Sequence, residues 1–263
     1  MSILNKLPAW QHFLKYRPLL RELVVRDLKV KYRRSFLGYL WSLLNPLLMM
    51  VVMSVVFSYM FRFDIPNYPL YLICGQTLWN FFNESTNMAL YSVLQNGALI
   101  KKVYIPKFIF PVSRVFSSFV TMSFSLMAIL IVMLATGTAM HWEILLFPIP
   151  LILLLIFSMG LGMMLSGLAV YFRDITHLYG VITLAWMYAT PIFYPLDAIP
   201  AEVAVWIEKN PMYLYITFFR DLVLYGTIPQ PSVWIGCVVW SLLATVIGLL
   251  VFRKLQKKFI LYV

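Results

Sequence analysis

Ten carboxylates, three histidines and two cysteines are the main stock of acids, bases and soft metal ligands in this 263-residue chain. Covalent catalysis and metal binding need such groups gathered at one place, and here they are scattered. His12, His141 and His177 fit no HExxH arrangement, while Cys74 and Cys237 sit in separate apolar runs and give no CxxC or zinc spacing. No catalytic residue and no metal ligand set is therefore expected. A phosphate-cradling Walker loop needs Gly-Lys-Ser/Thr, and none of the 11 glycines precedes a lysine. The chain is not expected to bind any cofactor, and any ATP chemistry must belong to another protein. Glu84, accompanied by Asn80 and Asn83, is the one carboxylate inside a long apolar run; proton coupling and helix–helix hydrogen bonding are both open to it.

The elements that must position these residues are set by composition. Apolar residues make up 62% and charged residues 12%, against about 45–50% and about 25% in soluble domains, which excludes an ordinary soluble enzyme. A helix needs about 20 largely apolar residues to cross a bilayer. Six runs qualify, at about 35–61, 69–90, 115–136, 144–172, 175–196 and 232–252. The predicted fold is an all-α integral membrane protein of six transmembrane helices. Residues 1–34 form a basic interface segment, and 35–263 form the membrane domain.

Seventeen of the 21 Lys and Arg residues fall before the first run, after the second and fourth, and after the last. Cytoplasmic connections collect such cations, so both termini are placed in the cytoplasm. The net charge of +11 is then a topology signal, and no nucleic-acid partner is expected.

Three features stand outside plain spans. In the first segment Leu20, Val24 and Leu28 recur at helical spacing, as do Arg26, Lys29 and Arg33, which predicts an amphipathic helix against membrane lipid with Arg17 and Arg21 on its basic side. The connection from Leu94 to Pro106 has turn chemistry at Asn96-Gly97, an apolar pair at Leu99-Ile100, and two cations, Lys101 and Lys102. Between about 197 and 228, prolines 200, 211, 229 and 231 break the chain into pieces too short to span, so a re-entrant or interfacial hairpin is expected on the external side. Ser158, Gly162 and Ser166 share one helix face, a small-residue pattern for close packing.

Taken in order, these pieces resemble the membrane subunits of type 2 ABC exporters for cell-surface polysaccharides, the O-antigen, capsule and teichoic acid permeases. Arg26-Asp27-Leu28-Lys29-Val30-Lys31-Tyr32-Arg33-Arg34-Ser35 carries the resemblance, followed by Leu37 to Pro46, Asn96 to Pro106, Tyr171 to Ile175, Thr190 to Tyr194 and Asn210-Pro211 with Phe219-Arg220. The resemblance implies a bacterial inner-membrane permease that pairs as a homodimer and binds two copies of a cytosolic ABC ATPase holding ATP and Mg. Its cargo would be an undecaprenyl-linked polysaccharide, O-antigen before capsule or teichoic acid. It also implies that Asn96, Gly97, Leu99, Ile100, Lys101, Lys102 and Tyr104 form a coupling helix, and that Pro200, Pro211, Tyr213, Tyr215, Phe219 and Arg220 belong to an external re-entrant hairpin. Tyr39, Trp41, Trp79, Phe193 and Tyr194 are aromatic residues suited to stack on sugar rings along a channel. Two alternatives remain: a drug or lipid exporter of the same fold, and a membrane transferase acting on polyprenyl-linked sugars.

Overall fold

The computed structural model describes residues 9–33, 35–60, 65–103 and 105–262, and these form helices and connections without a strand. The helices are α1 (Ala9–Tyr32), α2 (Trp41–Met60), α3 (Tyr68–Gln95), α4 (Gly97–Lys102), α5 (Ile109–Ala135), α6 (Pro148–Tyr171), α7 (Ile175–Tyr188), α8 (Ala201–Ile207), α9 (Pro211–Arg220), α10 (Pro231–Leu255) and α11 (Phe259–Tyr262). Among the described residues four stretches are able, by length and composition, to cross a membrane: Gly38–Phe57, Ile109–Ala135, Trp142–Tyr171 and Pro231–Lys258. The chain is thus a multi-pass membrane protein. One end of the bundle, here the basic end, carries α4, Lys107, Arg173 and the Arg253–Lys258 cations; the other carries α8 and α9.

Helix α3 is the centre of the bundle, packed by α2, α5, α6 and α9. It starts where Asn67, in the left-handed conformation at φ 51°, accepts from the Leu70 amide and donates to the hydroxyls of Thr136 and Thr138 beyond α5. This Asn cap ties the start of one helix to the end of another. Helices α6 and α10 make the most intimate pair. A Cβ on Gly160 would strike the backbone of Ala244, and one on Gly248 would strike the Gly160 carbonyl. Gly162 faces Ala89 of α3 instead, so the small residues of α6 serve two neighbours.

In α1 the half-buried Leu20, Val24 and Leu28 share a face with buried Leu23 and Asp27, while Arg17, Arg21, Arg26 and Lys29 are exposed; an ion pair to α5 seats Asp27 on the covered face. Residues 1–8 and Arg34 of the basic segment, and Tyr104 of the coupling stretch, lie outside the described residues. The apolar run at 175–196 yields a helix of only 14 residues, ending at Tyr188. Pro191 lacks an N–H and disfavours helix in the residue before it, so Thr190 to Tyr194 turns back into the bundle. Helix α9 likewise does not lie on the surface. Tyr215, Phe218 and Phe219 are fully enclosed, and a π-helical turn (Asp221–Tyr225) ends at Gly226, whose φ of 59° suits glycine.

Candidate conduit and coupling site

Along α3 the polar residues Asn80, Glu84, Asn87, Tyr91 and Gln95 follow at intervals of three and four, so they form one stripe. Asn80, Tyr91 and Gln95 are exposed and the other two half-buried, while most of the rest of the helix is buried, with Asn83, Met88 and Leu94 half-buried. Hydrocarbon does not tolerate such a stripe; side chains of this kind face a bundle interior or a water-filled path.

At its basic half the stripe meets α1 and α5. Asp27 of α1, almost fully buried, holds the Arg114 guanidinium at 3.0 Å and that of Arg26 at 3.3 Å, and accepts from the Ser117 hydroxyl at 3.3 Å. Arg114 also donates to the Gln95 amide oxygen at 3.1 Å. One turn further along α1, Lys31 contacts Glu84 at 2.6 Å, both side chains about one-third exposed at 38% and 34%. These residues surround a cavity of about 740 Å³, and a smaller hollow of about 270 Å³ opens beside it around Asn87, Tyr91 and Arg114. Among the named basic residues of α1, Arg17, Arg21, Lys29 and Arg33 are exposed, and Arg26 alone of the five borders this cavity.

The same corner carries α4. The Asn96 carbonyl accepts from the amides of Leu99 and Ile100, and its side chain donates to the Ser92 carbonyl at 2.7 Å, so the turn from α3 into α4 is tightly held. Gly97 and Ile100 are buried, Leu99 is half-buried, and Lys101 and Lys102 face outward. Beneath α4 an apolar cluster joins Ile100 to Leu23 of α1, Phe110 of α5, Val170 of α6, Phe252 of α10 and Phe259 of α11. Lys107 closes it by donating to the Gln256 carbonyl at 2.6 Å above the Phe259 ring; burial pulls its ammonium below the ordinary lysine value. Displacing α4 therefore presses on five other helices through packed side chains.

At the far end Arg220 is 4% exposed and, among the described residues, has no carboxylate partner. Its guanidinium donates to the carbonyls of Tyr71, Pro191 and Ile192 at 3.1, 2.8 and 3.0 Å and lies 3.4 Å above the Tyr71 ring. Tyr71 and Tyr68 hydroxyls donate to the Tyr194 and Phe193 carbonyls. The carbonyls that the broken helix α7 leaves without amide partners are satisfied in this way.

The five aromatic positions separate. Tyr39 and Trp41 are exposed at the start of α2. Trp79 is buried among Phe82 and Trp186, and Phe193 is buried against Phe57. A covered ring offers no face to a sugar, so these two are packing residues in this fold. Tyr194 is half-buried, its hydroxyl donating to the Tyr188 carbonyl. In the hairpin Pro200 is exposed and Pro211 buried. Tyr215 donates to the Cys237 carbonyl, and Tyr213 lines a cleft of about 800 Å³ beside Trp240. Sequence reading did not find the Asp27–Arg114 pair, the Lys31–Glu84 pair or the length of the α3 stripe. The last had a visible signal in the helical spacing from Asn80 to Gln95.

The fold and site define a class: an all-helical multi-pass membrane protein with a polar face running along a central helix and a short helix braced at its basic end. Residues 18–224 match the ABC-2 type transporter family, and the chain belongs to that family. It is 34% identical to the O-antigen export system permease protein RfbA of Myxococcus xanthus, over 82% of this chain and 84% of the relative. With the protein of the same name from Klebsiella pneumoniae it shares 33% over 89% and 90%, and with the polysialic acid transport protein KpsM of Escherichia coli 21% over 89% and 92%.

Proposed function

We propose that this chain is the permease subunit of an ATP-driven exporter of lipid-linked polysaccharide, O-antigen being the cargo named for its 33–34% identical relatives. The observation that carries the reading is the polar stripe of α3, open on one side of a single chain. Closed against a second copy, it becomes the wall of a hydrated path. The apolar faces left exposed on α2 (Val51, Val52, Val55) and α7 (Val181, Ile182, Leu184) suit such a homodimer. α3 and the α7 segment with its return join the four long apolar stretches to give six crossings, with both termini in the cytoplasm of an inner-membrane protein by the distribution of cations.

In this reading a separate cytosolic ATPase, two copies to each pair of permeases, holds ATP and Mg. It docks on Lys101, Lys102 and the outward side of α4, with the exposed cations of α1 flanking it. Its closure on ATP moves α4, and the cluster around Ile100 and Phe259 carries that displacement into α1, α5, α6 and α10 as a rigid-body shift. The exposed rings of Tyr39 and Trp41 offer weak, register-tolerant contacts to a sliding polymer.

Charge reversal of Lys101 and Lys102 tests this. The double variant is expected to fold with unchanged melting behaviour, lose co-purification of the ATPase, and fail to restore surface polysaccharide in a strain lacking the permease. Retention of the complex and of export together would sink the docking assignment.

A further inference from the structure

The cavity between α1, α3 and α5 has a composition that docking alone does not explain. Glu84 lies eleven residues before the end of α3, about 16 Å along the helix axis. Charges at such depth in a membrane protein mark substrate or ion pathways. Arg26, Lys31 and Arg114 point into one space from two helices, and Asp27 and Glu84 accompany them, leaving the wall net positive. The anions are held unequally. Asp27 is buried with Arg114, which Gln95 also fixes. The Lys31–Glu84 contact is open to water at both partners and joins two different helices, and an exposed pair of this type is worth little.

We propose that this cavity binds the diphosphate headgroup of the lipid that carries the cargo, Arg26, Lys31 and Arg114 being its ligands and Glu84 the internal anion that the headgroup displaces from Lys31. The proposal rests on the reading of the chain as an exporter of lipid-linked polysaccharide. Guanidinium groups meet phosphate oxygens in paired hydrogen bonds, and an ammonium adds a movable point charge. Arg114 is preorganised by Asp27, so little side-chain freedom is lost when the headgroup arrives. Glu84 keeps Lys31 neutralised and extended across the cavity until then. Exposed Val30 borders the cavity and exposed Tyr91 the adjoining hollow, surface on which the lipid tail can leave toward the bilayer. Asn96 is also in the wall, and its carbonyl is the one from which α4 starts, so an occupant lies against the root of the coupling helix. Headgroup occupancy is thereby readable by the ATPase.

The test uses the full chain in phosphatidylcholine nanodiscs, titrated with undecaprenyl diphosphate, with inorganic pyrophosphate, and with phosphatidylglycerol added to the disc. Wild type is expected to bind undecaprenyl diphosphate, with inorganic pyrophosphate competing weakly and phosphatidylglycerol hardly at all. Lys31→Gln and Arg26→Gln should each weaken binding by about tenfold, the scale of one charge-assisted contact. Glu84→Gln should tighten it severalfold, a gain that a damaged fold cannot produce. Equal affinity in wild type, Lys31→Gln and Glu84→Gln would overturn the site while leaving the carrier-lipid reading standing. Competition by phosphatidylglycerol as strong as the diphosphate's own binding would overturn the assignment to the carrier. Loss of polysaccharide export with headgroup binding intact in every variant would place the fault in the site proposal, whereas a chain that restores no polysaccharide export at all would fail the functional reading itself.

Discussion

Arg220 is buried and Arg114 half-buried, each near a helix end, and the protein treats them in opposite ways. Among the described residues Arg220 makes no ion pair; three carbonyls and the Tyr71 ring surround it. Arg114 has a buried carboxylate, a glutamine and an open cavity beside it. The first arrangement leaves nothing to exchange, because the side chain is 4% exposed and its guanidinium is committed to carbonyls. The second keeps a net positive wall within reach of a mobile ligand. A buried cation satisfied by backbone is a knot, while a cation satisfied by a carboxylate beside a cavity is a site. That contrast assigns fixed geometry to the hairpin end and exchange to the basic end.

The sharpest way to break the contrast is at the knot. Arg220→Ala removes the donor to the Ile192 carbonyl, leaves the Pro191 carbonyl only its longer bond from the Tyr71 hydroxyl, and opens a void where the guanidinium packed. With an unsatisfied buried carbonyl costing about 1–3 kcal/mol and lost packing added, a loss of about 3–5 kcal/mol is expected. In purified protein this would show as a large fall in melting temperature and folded yield. Arg220→Lys should recover only a part, since one ammonium lacks the planar fork that spans the three acceptors. A lysine variant as stable as wild type would mean that charge, not geometry, is what the site requires.

The second test acts on the fixed part of the exchange site. Asp27→Asn removes the anion that holds Arg114 and leaves a half-buried cation short of a partner, an expected cost of about 2 kcal/mol, below that of a fully buried pair. Combining it with Arg114→Met should restore most of the loss, because the neutral amide and the thioether leave no charge to desolvate. Double and single variants compared by thermal melting give the coupling directly. Equal damage in both would show that Asp27 serves its own helix and not Arg114.

How far these regions could be read in advance follows the same division. The Asn96-Gly97 turn, the apolar pair at Leu99-Ile100 and the cations after it mark a distinct segment in place of a plain connection by residue type, and the family resemblance adds the expectation of a coupling helix there. Proline spacing announced the broken hairpin, and Arg220 was named with it. The partners of Arg220 were not legible, because a backbone carbonyl carries no signature in sequence. The helix from Ile175 was read as longer than 14 residues because apolar composition continues through Thr190 to Leu196 whether the chain runs straight or folds back. Asp27 was hidden by its surroundings: a lone acid among cations reads as surface, and only the position of Arg114 on a distant helix makes it interior. Trp79 and Phe193 show the converse. An aromatic residue near a mouth is equally good at filling a core, and composition does not say which.

The smallest effect tests the exchangeable pair. Lys31 and Glu84 lie in contact at 2.6 Å, yet both are substantially exposed, so Lys31→Gln or Glu84→Gln should change stability by about 0.5 kcal/mol or less. Raised salt should affect wild type by no more than that. If Lys31→Gln instead cost as much as Asp27→Asn, the pair would be a strut between α1 and α3, and the basic end would be as rigid as the hairpin end. A near-zero stability change together with a clear change in diphosphate affinity is the outcome that separates a site from a knot, because a structural pair moves the first quantity and an exchangeable one moves only the second.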